Sequence, residues 1–159
     1  MRLGFIGTGT MGFPMVRCLL QAGHQVKVND LNREATTALC ELGASWAETP
    51  QEAAQQSQVV FTSLPGPTQV EAVLLNPENG ILVSLGTGSA FIDLTTNAPS
   101  VVRRLHRICG EQGVGFLDAS VSKGAADAAT VGTLTMMVVG RSGDPGTRPA
   151  CAERHRRQG

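Results

Sequence analysis

The sequence predicts an α/β domain, doubly wound, with a mostly parallel sheet covered by helices on both faces. Three observations predict it. Short apolar runs alternate with stretches of helical period along the first 140 residues, the pattern of strand–crossover–strand units. The runs are apolar nearly throughout, as strands buried on both faces are. Glycine and proline punctuate the junctions, where turns and helix ends require them.

The elements follow in order. Arg2 to Ile6 is an apolar run stopped by Gly7, which suits a buried strand. Over residues 10–21 the period changes: Met11, Met15, Cys18 or Leu19, and Ala22 recur at helical spacing, and Gly23 is the expected stop. Pro14 falls within the first turn, where its missing N–H is tolerated. Residues 25–29 read as a second strand, and 33–42 as a second helix closed by Gly43. Thr49, Pro50 and Glu52 open a short helix, with Thr at the cap, Pro at the first position and Glu at the third. Residues 59–64 form an apolar strand ended by Pro65-Gly66-Pro67, and residues 70–75 a helix. Residues 91–94 give another strand. Thr95 to Pro99 then leads into a helix with Val101, Leu105 and Ile108 on one face, Arg103, Arg104 and Arg107 on the other, and Gly110 at its end. Phe116 and Leu117 with Asp118 make a further strand, and residues 133–139 the last.

Composition narrows the class. The chain has 159 residues, 42% hydrophobic and 16% charged, with a formal net charge of zero. That is a globular balance, without the field that would attract nucleic acid or an anionic membrane. No run approaches the ~20 apolar residues of a membrane span. Residues 3–6 are too short for a signal-peptide core, so no leader is expected and cytoplasmic placement follows by default. Cys18, Cys40, Cys109 and Cys151 contain no CxxC pair and read as reduced thiols, with no metal site expected. Residues 141–159 are a different material, with five arginines, two prolines, three glycines and no large aliphatic or aromatic side chain. They cannot bury enough apolar area to offset the ~1–2 kcal/mol per residue that ordering costs. The expected organisation is a domain over 1–140 and a disordered tail over 141–159. Asp144 and Glu153 dilute the charge of that tail.

The turn after the first strand carries the chemistry. Gly7-Thr8-Gly9-Thr10-Met11-Gly12 follows a strand and opens a helix, the context that gives G-x-G-x-x-G its meaning. Gly7 permits the sharp turn, Gly9 leaves no side chain between backbone and a pyrophosphate, and Gly12 lets the helix approach the strand. The helix N-terminus offers free N–H groups and a partial positive charge to the phosphates. Asp30 stands at the end of the second strand. An acid there accepts from the adenosine ribose hydroxyls and repels a 2′-phosphate, favouring NAD over NADP. Asp30 and Asn32 also compete for the humbler job of turn or cap. Arg33 leaves NADP open, because a guanidinium can hold a 2′-phosphate. The domain is therefore read as Rossmann-type and NAD(P)-binding. Methyltransferases that bind adenosyl ligands show the same fingerprint and remain an alternative at this point.

Phe5-Ile6-Gly7-Thr8-Gly9-Thr10-Met11-Gly12-Phe13-Pro14-Met15 resembles the cofactor signature of the β-hydroxyacid dehydrogenase family, the group of 3-hydroxyisobutyrate dehydrogenase, tartronate semialdehyde reductase and, more distantly, 6-phosphogluconate dehydrogenase. Three more segments resemble that family in the same order. They are Leu64-Pro65 at a strand end, Phe91 to Pro99, and Asp118-Ala119-Ser120-Val121-Ser122-Lys123-Gly124 with Gly132 to Thr135 after it. The resemblance implies that Leu64, Pro65 and Thr96 contact the cofactor, and that Ser122, Lys123 and Gly124 bind a small β-hydroxyacid. On the residues alone, Leu64-Pro65 can simply end a strand, Thr95 and Thr96 can serve only as a helix entry, and Ser122 as a turn hydroxyl. Ser120 stands where the motif has proline, and Lys123 where it has glycine.

The resemblance also implies a helical second domain that carries a catalytic lysine and a nearby asparagine. Nothing after Gly140 resembles it, so the chain reads as truncated, with no catalytic residue of its own and little or no turnover alone. Lys27, in a strand, and Lys123, in the substrate loop, are the only lysines, and neither replaces the missing one. His24, His106 and His155 read as surface or packing residues, and no nucleophile elbow appears. The other reading is a non-enzymatic NAD(P)-binding or interaction module. Either way, a sheet face lacking its second domain should expose Met136 and Val138, or Met137 and Val139, and favour homo- or hetero-oligomers.

Overall fold

A computed structural model describes residues 1–121 of the chain. β1 (Arg2–Ile6) leads into α1 (Gly12–Gln21) and β2 (Gln25–Asn29). A 3-10 turn (Arg33–Thr36) continues into α2 (Thr37–Glu41), followed by β3 (Ser45–Trp46), α3 (Pro50–Ala54) and β4 (Val59–Thr62). The second half runs α4 (Pro67–Leu75), α5 (Ile81–Ser84), β5 (Ala90–Asp93), α6 (Pro99–Glu111) and β6 (Gly115–Asp118). The last expected strand, Thr133 to Val139, the tail, and Ser122, Lys123 and Gly124 lie outside the described residues.

The six strands form one sheet in the order β3-β2-β1-β4-β5-β6, every pair parallel. Among the described residues every strand is parallel, in keeping with the mostly parallel sheet expected. From β1 the chain steps outward to β3, returns beside β1 as β4, and steps outward the other way. The direction reverses between β1 and β4, and that switch opens a crevice at the carboxyl ends of the strands.

Side-chain alternation divides the core into two layers. Leu3 and Phe5 of β1, Val26 and Val28 of β2, and Ile92 of β5 share one cluster with Met15, Val16 and Leu19 of α1. Ile6, Val60, Phe91 and Phe116 share the other with Ala53 and Ala54 of α3, Leu74 of α4, and Leu105 and Cys109 of α6. Each large apolar side chain fully buried in these layers contributes about 1.5–3 kcal/mol. Aromatic pairs tie neighbouring strands: Phe5 and Phe61 stack at 5.7 Å, and Phe91 lies 5.5 Å from Phe116. Gly4 faces α3 so closely that a Cβ there would lie 2.5 Å from the Ala53 carbonyl oxygen. The short helix α3 can therefore sit flat on β1.

Several boundaries differ from the sequence reading. The first helix starts at Gly12 rather than Thr10, because the glycine turn occupies residues 7–11. Residues 33–42 split into the 3-10 turn and α2. The fourth helix begins at Pro67, whose ring fits the first helical position, three residues before the apolar period starts. α6 runs past Gly110, and the chain turns out of it at Gly113, whose φ is +71°. Thr49 caps α3 as expected, accepting from the Glu52 amide at 3.1 Å.

Candidate cofactor site

The three glycines of the first turn have three different surroundings. Gly7 adopts φ +90°, and a Cβ on it would fall against the Ser63 carbonyl oxygen, with Leu64 Cδ2 at 2.9 Å. Its amide donates to the Asn29 carbonyl at 2.9 Å. A Cβ on Gly12 would meet the Gly7 carbonyl oxygen, with Phe5 Cε1 at 3.1 Å. Gly7 and Gly12 are thus required by the protein's own packing. Gly9 is not, since nothing lies within 4 Å of where its Cβ would stand and the residue is exposed. Its glycine keeps open a space that none of the described residues fills.

That space borders the start of α1. Phe13 N donates to the Gly9 carbonyl at 2.9 Å, and no side chain caps the helix at Met11. First-turn N–H groups have no intrahelical acceptor, so this end presents donors and a positive dipole beside the opening at Gly9. Thr8 is buried, Thr10 exposed and Met11 half-buried, with Met11 packed against the core. A diphosphate fits this cradle by shape and by charge.

Asp30 is bound into the same turn. One carboxylate oxygen accepts from the Thr8 amide at 2.7 Å and the Thr8 hydroxyl at 3.2 Å, and the other from the Asn32 amide at 2.9 Å. A carboxylate offers about four lone-pair sites, so the oxygen holding only Asn32 keeps one for a ligand. The two alternatives for this corner are both realised, because Asp30 braces the turn while Asn32 caps the 3-10 segment by accepting from Glu34 N at 3.1 Å. Arg33 is occupied elsewhere, 5.5 Å over the Trp46 ring and 3.8 Å from Glu48. Beside Asp30 stands a residue that the sequence reading passed over. Leu31 is an apolar side chain 107% exposed.

Across the switch, one network organises the ends of β4, β5 and β6. Buried Asp93 accepts from the Thr62 hydroxyl at 2.8 Å, the Thr95 amide at 3.0 Å and Asn97 Nδ2 at 2.6 Å. The Thr95 hydroxyl accepts from Leu64 N at 3.1 Å, and Ser120 Oγ stands 3.1 Å from both the Thr95 carbonyl and Asp118 Oδ1. The loops after the three strands are therefore tied together. Thr95 is buried in this knot while Thr96 is exposed, Leu64 half-buried and Pro65 exposed. Neither threonine caps α6, whose N-cap is Ala98 without a side-chain bond, so the helix-entry reading of Thr95 and Thr96 fails. Burial raises the Asp118 pKa above the usual carboxylate value. The Ser120 hydrogen bond works against that rise, and repulsion from Asp93 adds to it. Among the described residues no group of three or more His, Cys, Asp or Glu side chains is placed to hold a metal, and no helix is long and apolar enough to cross a membrane.

Residues 2–146 match the family described as the NAD binding domain of 6-phosphogluconate dehydrogenase. The chain belongs to the β-hydroxyacid dehydrogenase family. NAD-dependent L-serine dehydrogenase of Pseudomonas aeruginosa is 40% identical over 139 residues, which cover 87% of this chain and 46% of that protein. Among solved structures, Psf3 in complex with NADP+ and 2-OPP aligns with a TM-score of 0.82 at 33% identity, covering 87% of this chain and 49% of that one. Mycobacterium tuberculosis 3-hydroxyisobutyrate dehydrogenase with L-serine aligns with a TM-score of 0.81 at 31% identity, covering 88% and 46%. The chain spans about half the length of the curated relatives it matches (46% of the L-serine dehydrogenase). It carries the NAD-binding domain of 3-hydroxyisobutyrate dehydrogenase-like oxidoreductases, and its cofactor is a nicotinamide dinucleotide. The adenosyl-methyltransferase alternative is thereby removed.

Proposed function

We propose that this β-hydroxyacid dehydrogenase domain binds NAD in preference to NADP and serves the oxidation of a small β-hydroxyacid. The observation that carries the reading is the empty space at Gly9, between the start of α1 and the Asp30 carboxylate at the β1/β4 switch. Gly7, Thr8, Gly9, Thr10, Met11 and Gly12 form the phosphate seat. Asp30 takes the ribose, and its negative charge disfavours a 2′-phosphate. Leu64, Pro65 and Thr96 border the nicotinamide half.

When bound, the nicotinamide supplies the hydride chemistry. The described residues of the chain bind and orient it. The resemblance places the proton-transferring lysine in a further domain. Lys27 does not substitute, since its ammonium donates to the Glu52 and Gln55 carbonyls at the end of α3. Ser122, Lys123 and Gly124 are assigned to the substrate carboxylate. Cytoplasmic placement and a homo- or hetero-oligomeric state complete the reading. The reduced thiols of Cys40 and Cys109 suit the first of these.

Calorimetric titration with NAD and NADP tests the reading. The wild-type chain is expected to bind NAD more tightly. Asp30→Ala removes charge-assisted hydrogen bonds of about 1.5–3 kcal/mol, so NAD affinity should fall roughly ten- to hundredfold and the preference over NADP should shrink. Equal binding of both dinucleotides by the wild type, or no effect of Asp30→Ala, overturns the cofactor preference.

A further inference from the structure

Ser120 has one hydroxyl proton and two oxygens competing for it. Its Oγ stands 3.1 Å from the Thr95 carbonyl oxygen and 3.1 Å from Asp118 Oδ1. A carbonyl only accepts, as does an ionised carboxylate, whereas a protonated carboxyl donates. Both contacts are therefore full hydrogen bonds only while Asp118 carries a proton, which it gives to Ser120 Oγ as Ser120 gives its own to Thr95. Once Asp118 ionises, the hydroxyl turns to the charged oxygen, because charge-assisted bonds are roughly twice as strong as neutral ones. Among the described residues the Thr95 carbonyl then keeps only Asn97 Nδ2 at 3.2 Å, a group that Asp93 holds more closely at 2.6 Å.

Asp118 is placed to keep that proton. It stands beside Asp93 in the β5–β6 register. Asp93 draws on three donors, from Thr62, Thr95 and Asn97, while Asp118 has the Ser120 hydroxyl alone. A carboxyl with one donor and an acid for a neighbour holds its proton more readily. Burial, first, and then Asp93 raise the Asp118 pKa, against the Ser120 bond. Of the other charged groups beside β6, His106 of α6 stands edge-on to Phe116 at 6.3 Å. Arg103 is exposed, and Arg104 and Arg107 pair with Glu71 and Glu111. We propose that Asp118 and Ser120 are positioning residues for the Thr95–Thr96 peptide, which the protonated pair holds in the setting that receives the nicotinamide. The inference rests on the dinucleotide-binding reading above, in which Thr96 and Leu64, tied to the Thr95 hydroxyl, border the nicotinamide half. Ser120 stands where the family's motif has proline, which has no hydroxyl to give, so the pair is a feature of this chain.

The test is the affinity of the chain for NAD divided by its affinity for ADP-ribose, which lacks the nicotinamide, measured by calorimetry from about pH 4 to about pH 7. Titration of Asp30, the adenine and the phosphates is common to both ligands and cancels in the ratio. As pH rises through the Asp118 midpoint the ratio should fall by up to about fivefold, the value of one neutral hydrogen bond. By reciprocity NAD should raise that midpoint, read from the carbon-13 shift of the Asp118 carboxyl, and ADP-ribose should not. Asp118→Asn, which does not titrate, and Ser120→Ala should both give a flat ratio, while Ser120→Thr, which keeps the hydroxyl, should restore the fall. A wild-type ratio that stays flat or rises with pH, or a fall that persists in Asp118→Asn or Ser120→Ala, overturns the proposal while NAD still binds. Failure of the wild type to bind either ligand defeats the underlying reading instead. If the variants do not fold, the wild-type ratio and the carboxyl midpoint decide.

Discussion

At residue scale, three glycines in one turn separate function from packing. Gly9→Ala puts a methyl group where no protein atom lies within 4 Å, and the glycine does not use a positive φ. Its effect on stability should stay within about 0.5 kcal/mol, as for an open surface site, while NAD affinity falls at least tenfold. Gly12→Ala drives a methyl into the backbone oxygen of Gly7, and a strained backbone does not yield cheaply. Thermal denaturation of the two variants should therefore differ by several degrees in Tm, with Gly12→Ala the lower. Cys109 gives a second test at this scale. Burial pushes its thiol up to about 12 from an ordinary 9.0, so above pH 9 the folded chain holds a proton that the unfolded chain releases. Stability from this group is full below pH 9 and declines as pH rises from 9 toward 12. Denaturant midpoints measured across that range should fall in the wild type, with a shallower fall in Cys109→Ala. The same burial should keep Cys109 unreactive toward iodoacetamide at neutral pH in the native state.

At the scale of elements, the long strands and helices were legible because each repeats a period often enough to show. Arg2–Ile6 and Gln25–Asn29 lie where the apolar runs put them, and α3 carries the Thr49, Pro50 and Glu52 cap that its sequence announces. Thr49→Ala should cost about 1 kcal/mol, read as a lower chemical-denaturation midpoint with an unchanged slope. Ser45–Trp46 and Ile81–Ser84 escaped notice since two and four residues carry no period. β3 exists because Ser45 and Trp46 pair with Lys27 and Val28 of β2, a tertiary cause invisible locally. The same limit applies to the site. Gly7, Gly9, Gly12 and Asp30 stand at readable positions beside a strand end. The bonds joining Asp93, Thr95 and Asn97 to Thr62 and Ser120 bring together three distant segments. Leu105 marks the limit of tolerance in α6. It is fully buried between the helix and the sheet, so Leu105→Ala should cost about 2–5 kcal/mol, while Arg103→Ala on the exposed face should cost almost nothing.

For the molecule as a whole, the order β3-β2-β1-β4-β5-β6 determines where a ligand can sit. Only between β1 and β4 do successive crossovers diverge, and only there does the uncapped start of α1 meet the opening at Gly9 and the carboxylate of Asp30. At the basal ends of the same strands a cavity of about 350 Å³ is lined by Arg2, His24, Lys27, Gly43 and Gln56, but it lacks a helix start, and Arg2 and Lys27 spend their charge on the carbonyls of Glu52, Gln55 and Gln56. Amide-resolved NMR during titration with NAD tests this placement most directly. The account predicts that the resonances of Gly9, Thr10, Met11, Asp30, Leu64 and Thr96 move with a common saturation curve, while those of Gly23, Gly43 and Gly113 at the basal turns stay fixed. Saturable binding that leaves the Gly9 and Met11 amides unmoved would contradict it.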